Sequence, residues 1–333
     1  MEKAIAVVVT YNRQALLSDC IDALRRQTRR LDAILVVNNG STDNTEQWLQ
    51  QQSDLIFVTQ KNVGSSGGFS TGINWAYQHG YSWIWCMDDD GYPKEDALEN
   101  LLAADNGSLR LMNCAVIDKE NKKSFVWKTG NYTTIDQVDR KIIEGIGHPF
   151  NGTLLHRRIV ERVGVPKPKY FLWGDETEYY YRIVKRNSIP VCTVADSIHY
   201  HPSAAFSIKQ DWDYTTAWKM YFYVRNRFHV HRVKFNNKAV ALLHYCCFLA
   251  AFAGVVLLFQ KTDRMKKLGF IMWPAADAFR NNFEATPPMI LSKLKTRSTA
   301  SLPSVINSYI KNIGAALVTP FAPQRARGTA NAA

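Results

Sequence analysis

The sequence predicts an α/β domain, built on a mostly parallel sheet with flanking helices, followed by a basic helical region. Three observations predict it. Short apolar runs alternate with helix-forming segments over the first part of the chain; each polar cluster there falls where an apolar run ends; and charge and hydrophobicity change character near residue 205. With 333 residues and 46% hydrophobic content, the chain can bury a sizeable core and is long enough for about two domains.

Residues 4–9 are short, apolar and rich in β-branched side chains, as a strand buried on both faces requires. Residues 14–28 read as a helix, because Leu16, Leu17, Cys20, Ile21 and Leu24 recur at helical spacing. A second strand over 33–37 runs into the turn-forming Asn38, Asn39, Gly40 and Ser41, and residues 42–45 can cap the next helix. A third strand is expected over 55–59 and a fourth over 83–87, with a Gly-rich turn and a helix over 73–79 between them. A later strand over 189–194 leads to His199, Tyr200 and His201. Parallel sheets of this kind bind ligands beyond the carboxyl ends of their strands. Thr10, Tyr11 and Asn12, then Asn38 and Asn39, then Asp88, Asp89 and Asp90 all fall at such ends.

Composition narrows the partners. Residues 205–333 hold 18 Lys+Arg against 5 Asp+Glu, a net of +13, while residues 1–204 are close to neutral. A basic region points to an anionic surface, and its apolar neighbours favour lipid over nucleic acid. The 6 cysteines show no metal-ligand spacing and read as reduced and structural. The apolar run after Lys3 is too short for a secretory leader, so a cytosolic catalytic part is expected.

Four clusters carry chemistry. Three adjacent carboxylates repel one another, and a hard divalent cation offsets that charge with oxygen ligands; on an extended backbone Asp88 and Asp90 share a side. The plainer reading is a solvated acidic turn ahead of a helix. The run from Asn62 through Gly67 and Gly68 to Gly72 permits close backbone approach to a phosphate at a helix N-terminus, or simply close packing of a helix on the sheet. It lacks the spacing of a dinucleotide fingerprint. Trp173 and Gly174 lead into Asp175, Glu176 and Glu178, which open a helix in which Arg182 can pair with Glu178. An aromatic lead-in also suits a general base, since partial desolvation raises basicity. Either His199 or His201 could complete a metal shell or bind a phosphate.

Taken in order, VVVTYNR (7–13), VVNNGSTDNT (36–45), NVGSSGGFSTG (62–72), CMDDD (86–90) and WGDETEYYYR (173–182) resemble the family 2 inverting glycosyltransferases of the GT-A fold, over about residues 4–230. IHYH (198–201) and YFYVRNR (221–227) look more like the galactofuranosyltransferase branch, with bacterial rhamnosyltransferases close behind. The resemblance implies a nucleotide-sugar-binding fold and the following roles. Thr10, Tyr11, Asn12, Arg13, Asn38, Asn39, Asn62, Gly67, Gly68 and Asp89 would bind the donor. Asp88, Asp90 and His199 would hold Mn²⁺ or Mg²⁺. Glu176 would be the base, with Asp175 beside it as the fallback, and Trp173 and Glu178 would meet the acceptor. Where the family usually has an acidic residue, this chain has Asn38, whose carbonyl can still accept from a base N–H, leaving uracil and thymine open.

Residues 239–259 are almost all apolar, broken by His244, and have basic residues on both sides. That length could span a bilayer, but the two-sided charge favours interfacial helices or a hairpin held by apolar burial and anionic lipid. The expected organisation is a catalytic domain over 1–205, a membrane-associated helical region over 206–286, and amphipathic pieces (305–317) with a disordered tail over 287–333. This fits a peripheral or monotopic enzyme on the cytoplasmic face of the inner membrane, taking galactofuranose from UDP-galactofuranose to a lipid-linked glycan. The rivals are a dTDP-rhamnose donor and a non-catalytic glycan- or lipid-binding protein. We predict that Glu176→Gln keeps donor binding, read by calorimetry, and loses transfer; normal turnover would shift the base to Asp175.

Overall fold

The computed structural model describes residues 2–203, 211–212 and 214–296. The expected boundary at 205/206, the amphipathic piece at 305–317 and the rest of the tail region beyond residue 296 lie outside the described residues. In chain order the first half runs β1 (Ala4–Thr10), α1 (Gln14–Arg25), β2 (Ala33–Asn38), α2 (Thr45–Gln50), β3 (Ile56–Thr59), α3 (Gly64–Gln78), β4 (Trp83–Asp88), β5 (Tyr92–Pro93), α4 (Ala97–Ala103), β6 (Leu111–Asp118), β7 (Ser124–Thr129), β8 (Tyr132–Thr134) and β9 (Ile142–Glu144). It continues with β10 (Asn151–His156), α5 (Arg157–Val163), α6 (Asp175–Tyr181), β11 (Val191–His201), α7 (Tyr214–Lys234), α8 (Lys238–Phe259), α9 (Arg264–Phe279) and α10 (Pro287–Thr296).

The sheet has the order β3-β2-β1-β4-β10-β6-β11-β5, with β7, β8 and β9 on its margin. Its first four strands are parallel, as expected, but β10 inserts antiparallel to both β4 and β6, so the sheet is mixed. Every residue of β1 is buried. Ala4, Ala6 and Val8 enter the core under α1 and α4, whereas Ile5, Val7 and Val9 enter the core under α3. This period-two division is why the sequence is apolar at every position rather than alternating.

The Gly-rich segment departs from the expected turn, because it is the first half of α3 itself. A Cβ at Gly67 would overlap the Val63 side chain, one at Gly68 would overlap Val9, and one at Gly72 would overlap Val7. Glycine costs about 1 kcal/mol in a helix interior, so the sequence reads locally as a turn. Close seating of α3 on β1 offsets that cost.

Behind the sheet, α7, α8 and α9 form a third core that also takes in Phe171, Leu172 and Trp173. α8 buries Ala241, Tyr245, Leu249, Phe252 and Val256 along one face. It leaves Leu243, Leu257, Leu258 and Phe259 exposed on the rest of its surface. It is long and apolar enough to cross a membrane. The turn into α9 is fixed by the buried Lys267 ammonium, which donates to Asp211 (2.6 Å) and Gln260 (3.0 Å). α9 ends at Phe279, and Asn281 just beyond it turns left-handed.

Candidate active site

A cavity of about 920 Å³ opens beyond the carboxyl ends of β1 and β4, walled by the start of α6 and by α7. Parallel pairing sets Val9 against Asp88 and Thr10 against Asn38, so these strand ends arrive together. Asp88 closes β4, and Asp89 and Asp90 form the turn that follows. Thr10 donates its hydroxyl to Asp89 (2.7 Å), while the Arg13 guanidinium bridges Asp89 (3.2 Å) and Asp90 (2.7 Å). Burial, then repulsion from Asp90 and Asp89, pushes the Asp88 carboxyl well above its ordinary range. Burial also opposes ionisation of Asp90, but the His201 ring and Arg13 outweigh it and hold that carboxyl at about 2. Neighbouring carboxyls are therefore pushed in opposite directions, Asp88 up and Asp90 down.

Ligand atoms of Asp88, Asp90 and His201 lie within 4.8 Å of one another. The histidine's tautomer suits a metal. Its Nδ1 faces the Pro202 carbonyl at 2.7 Å and must donate to it, which turns Nε2 toward Asp90 Oδ1 at 3.3 Å. Two acceptors cannot face each other stably without a positive charge between them, supplied by a proton on Nε2 or by a cation. Apart from the His201 ring, Asp90 Oδ1 has no polar partner among the described residues, which fits an atom shared with a cation.

His199, expected in this shell, is not in it. The two histidines do share a face of β11, but His201 stands two residues further along the strand, at its open end. His199 is fully buried beneath Gly91, where a Cβ would strike its ring, and burial pushes its pKa down to about 3. It supports the acidic turn from behind as a neutral ring.

The base candidates sit across the cavity. Asp175 is buried beside Ser65, whose hydroxyl donates to it at 3.3 Å. Burial, then the neighbouring Glu176, raises its pKa well above the carboxylate range. Glu176 lines the cavity and accepts the Gly174 N–H at 3.1 Å. The loop before it is strained, with φ of 66° at Phe171, 53° at Trp173 and 104° at Gly174. Non-glycine residues in that region cost about 1–3 kcal/mol each and persist only where neighbours enforce them. Here α7 enforces them. The Asn226 amide donates to the carbonyls of Tyr170 (3.0 Å), Leu172 (2.9 Å) and Trp173 (2.8 Å), and Arg225 donates to Tyr170 (2.9 Å) and Lys169 (3.2 Å).

Of the expected site residues, Thr10, Tyr11, Arg13, Asn39, Asn62, Asp88, Asp89, Asp90, Trp173, Asp175 and Glu176 meet at the cavity. Others do not. Asn38 is fully buried, its carbonyl accepts the Ser41 N–H (3.1 Å), and it is not among the residues lining the cavity. Asn12 instead ties down Thr42 (2.6 Å). Gly67 and Gly68 are packing positions, and the Ser66 N–H at that helix start is spent on the Phe171 carbonyl (3.2 Å) rather than left for a phosphate. Glu178 is wholly buried between Lys167 (2.7 Å) and Arg182 (3.1 Å) and is not among the residues lining the cavity. Sequence reasoning passed over Trp127 and His148, which wall the cavity from a stretch of short strands, and Trp218 and Lys219 on α7. The alternating aromatic pattern of residues 124–129 was the available signal for Trp127.

Removing one partner of a buried ion pair leaves an uncompensated charge. Glu178→Gln is therefore expected to lower stability by roughly 3 kcal/mol in denaturant titration, with nucleotide affinity of the folded protein unchanged. A selective loss of acceptor turnover at full stability would return Glu178 to the acceptor site.

Comparison with known proteins agrees with this geometry. Residues 5–164 match the model of glycosyl transferase family 2. The chain is 32% identical over 222 residues to galactofuranosyltransferase GlfT1 of Mycobacterium tuberculosis, covering 62% of this chain and 73% of the relative. It is 30% identical over 223 residues to GlfT1 of Mycolicibacterium smegmatis, covering 62% and 74%. Among solved structures, S. aureus TarS 1–349 in complex with UDP aligns with TM-score 0.54 and 13% identity over 94% of this chain and 90% of that one. A longer TarS structure gives TM-score 0.55 and 12% identity over 94% of this chain and 55% of its own length. These structural likenesses show the GT-A fold, and with the sequence relatives they establish that the chain is an enzyme of glycosyltransferase family 2.

Proposed function

We propose that this enzyme moves galactofuranose from UDP-galactofuranose to a hydroxyl of a growing, lipid-linked cell-surface glycan, with inversion and with a divalent metal. The observation that carries the reaction type is the placing of the Asp88, Asp90 and His201 cluster in the same cavity as Glu176. The donor rests on the galactofuranosyltransferase relatives. Asp88, Asp90 and His201 would hold manganese or magnesium, which when bound supplies positive charge to a leaving diphosphate. Thr10, Tyr11, Asn39 and Asn62 line the side where a nucleoside would lie.

Glu176 takes the proton of the acceptor hydroxyl as its oxygen bonds to the anomeric carbon, while the bond from that carbon to the diphosphate oxygen breaks on the opposite face. Asp175 is less suited to that task, because it is buried and its carboxyl is pushed toward the protonated form. Trp173 offers an aromatic wall for the acceptor sugar. We place the catalytic part over 1–205, and the region over 206–286 against the cytoplasmic leaflet of the inner membrane, through the exposed apolar surface of α8 and its basic flanks.

Calorimetry with UDP-galactofuranose, dTDP-rhamnose and UDP-glucose, with and without manganese, tests this. Metal-dependent binding of UDP-galactofuranose alone, abolished by Asp90→Ala, is the expected result. Preference for dTDP-rhamnose would reassign the sugar, and no binding of any donor by folded, metal-loaded protein would remove the catalytic reading.

A further inference from the structure

Among the described residues, the cavity is lined by a lysine that the reaction above does not use and that no carboxylate holds. Lys219 projects from α7, beyond the residues 5–164 matched by the family model, and lines the cavity with Trp173 and Trp218. Its ammonium lies 5.9 Å from the Trp173 ring and 5.8 Å from the Trp218 ring. It makes no ion pair with a carboxylate among the described residues. Four acids of the cavity are engaged elsewhere: Asp89 and Asp90 hold Arg13, Asp175 is buried beside Ser65, and Glu176 accepts the Gly174 N–H; the fifth, Asp88, converges on the cluster with Asp90 and His201. The charged side chain that acts on Lys219 is Arg13, which is of like sign, and burial together with Arg13 lowers the lysine's pKa.

A half-buried ammonium that feels a second cation, with no counter-ion among the described residues, is costly and is relieved when an anion arrives. Tryptophan faces stabilise the charge but do not neutralise it. We infer that Lys219 is a diphosphate-binding residue of the substrate complex, supplied by the helical region rather than by the family-matched part of the fold. The inference rests on the glycosyltransferase reading, which offers two sources of that chemistry: the diphosphate of the donor and the diphosphate that joins a lipid-linked acceptor to its lipid. The lysine contributes three N–H donors and a positive charge, and no covalent step.

The test uses the full chain with manganese, comparing wild type, Lys219→Gln and Lys219→Arg. Binding of UDP, uridine and octyl diphosphate is measured by calorimetry. Loss of one charge-assisted contact weakens binding by about ten-fold or more. If Lys219→Gln weakens UDP by that factor, spares uridine and is rescued by Lys219→Arg, the lysine holds the donor diphosphate. If UDP is unchanged and octyl diphosphate is weakened, with the same rescue, it holds the acceptor's. If neither diphosphate is weakened, the inference falls while the enzyme reading stands. If the wild type binds neither diphosphate, both fall together.

Discussion

Repulsion among three consecutive carboxylates at the end of a buried strand shapes this site. Asp88, Asp89 and Asp90 could not coexist there as free anions, and the fold answers each one separately. Asp89 is the most enclosed of the three and is bound by Thr10 and Arg13. Asp90 is held between Arg13 and His201. Asp88 is left with its pKa raised, short of a positive partner of its own. The residual imbalance falls where Asp88, Asp90 and His201 converge, which is where a divalent cation would resolve it.

The second constraint joins the two halves of the molecule. The loop from Lys167 to Gly174 is clamped between the start of α3 and the middle of α7. On one side Ser66 bonds the Lys167 and Phe171 carbonyls; on the other Arg225 and Asn226 bond those of residues 169, 170, 172 and 173. A Cβ at Gly64 would overlap the Phe171 carbonyl, and Gly64 itself has φ +75°. Glu176, the proposed base, follows directly from this loop, so the helical region supports the wall of the cavity. The same region presents the exposed apolar surface of α8.

Much of this was legible in the sequence. The four parallel strands, their polar ends and the long apolar helix were readable, because burial on both faces and abrupt strand ends leave a strong local pattern. The α3 glycines were not, since a helix that needs glycine to lie close on a sheet looks locally like a turn. His199 and His201 share a period and a face; only the distance along β11 to the acidic turn separates them, and that depends on pairing across the sheet. Asn38 and Glu178 have polar side chains whose partners, Ser41 for one and Lys167 with Arg182 for the other, decide between structure and chemistry. Residue type alone does not show such pairings. Lys219 lies far in sequence from the motifs, on a helix whose aromatic and basic content reads as a membrane-facing segment.

The central claim is that Asp88, Asp90 and His201 form the cation site. Titration of manganese in the presence of UDP, followed by electron paramagnetic resonance, addresses it directly when wild type is compared with His201→Ala and His199→Gln. Removing a metal ligand should cost at least about ten-fold in affinity, since even outer partners of metal ligands cost that much. The account predicts that loss for His201→Ala, with affinity close to wild type in folded His199→Gln. Retained manganese affinity in His201→Ala, with loss in His199→Gln, would contradict it.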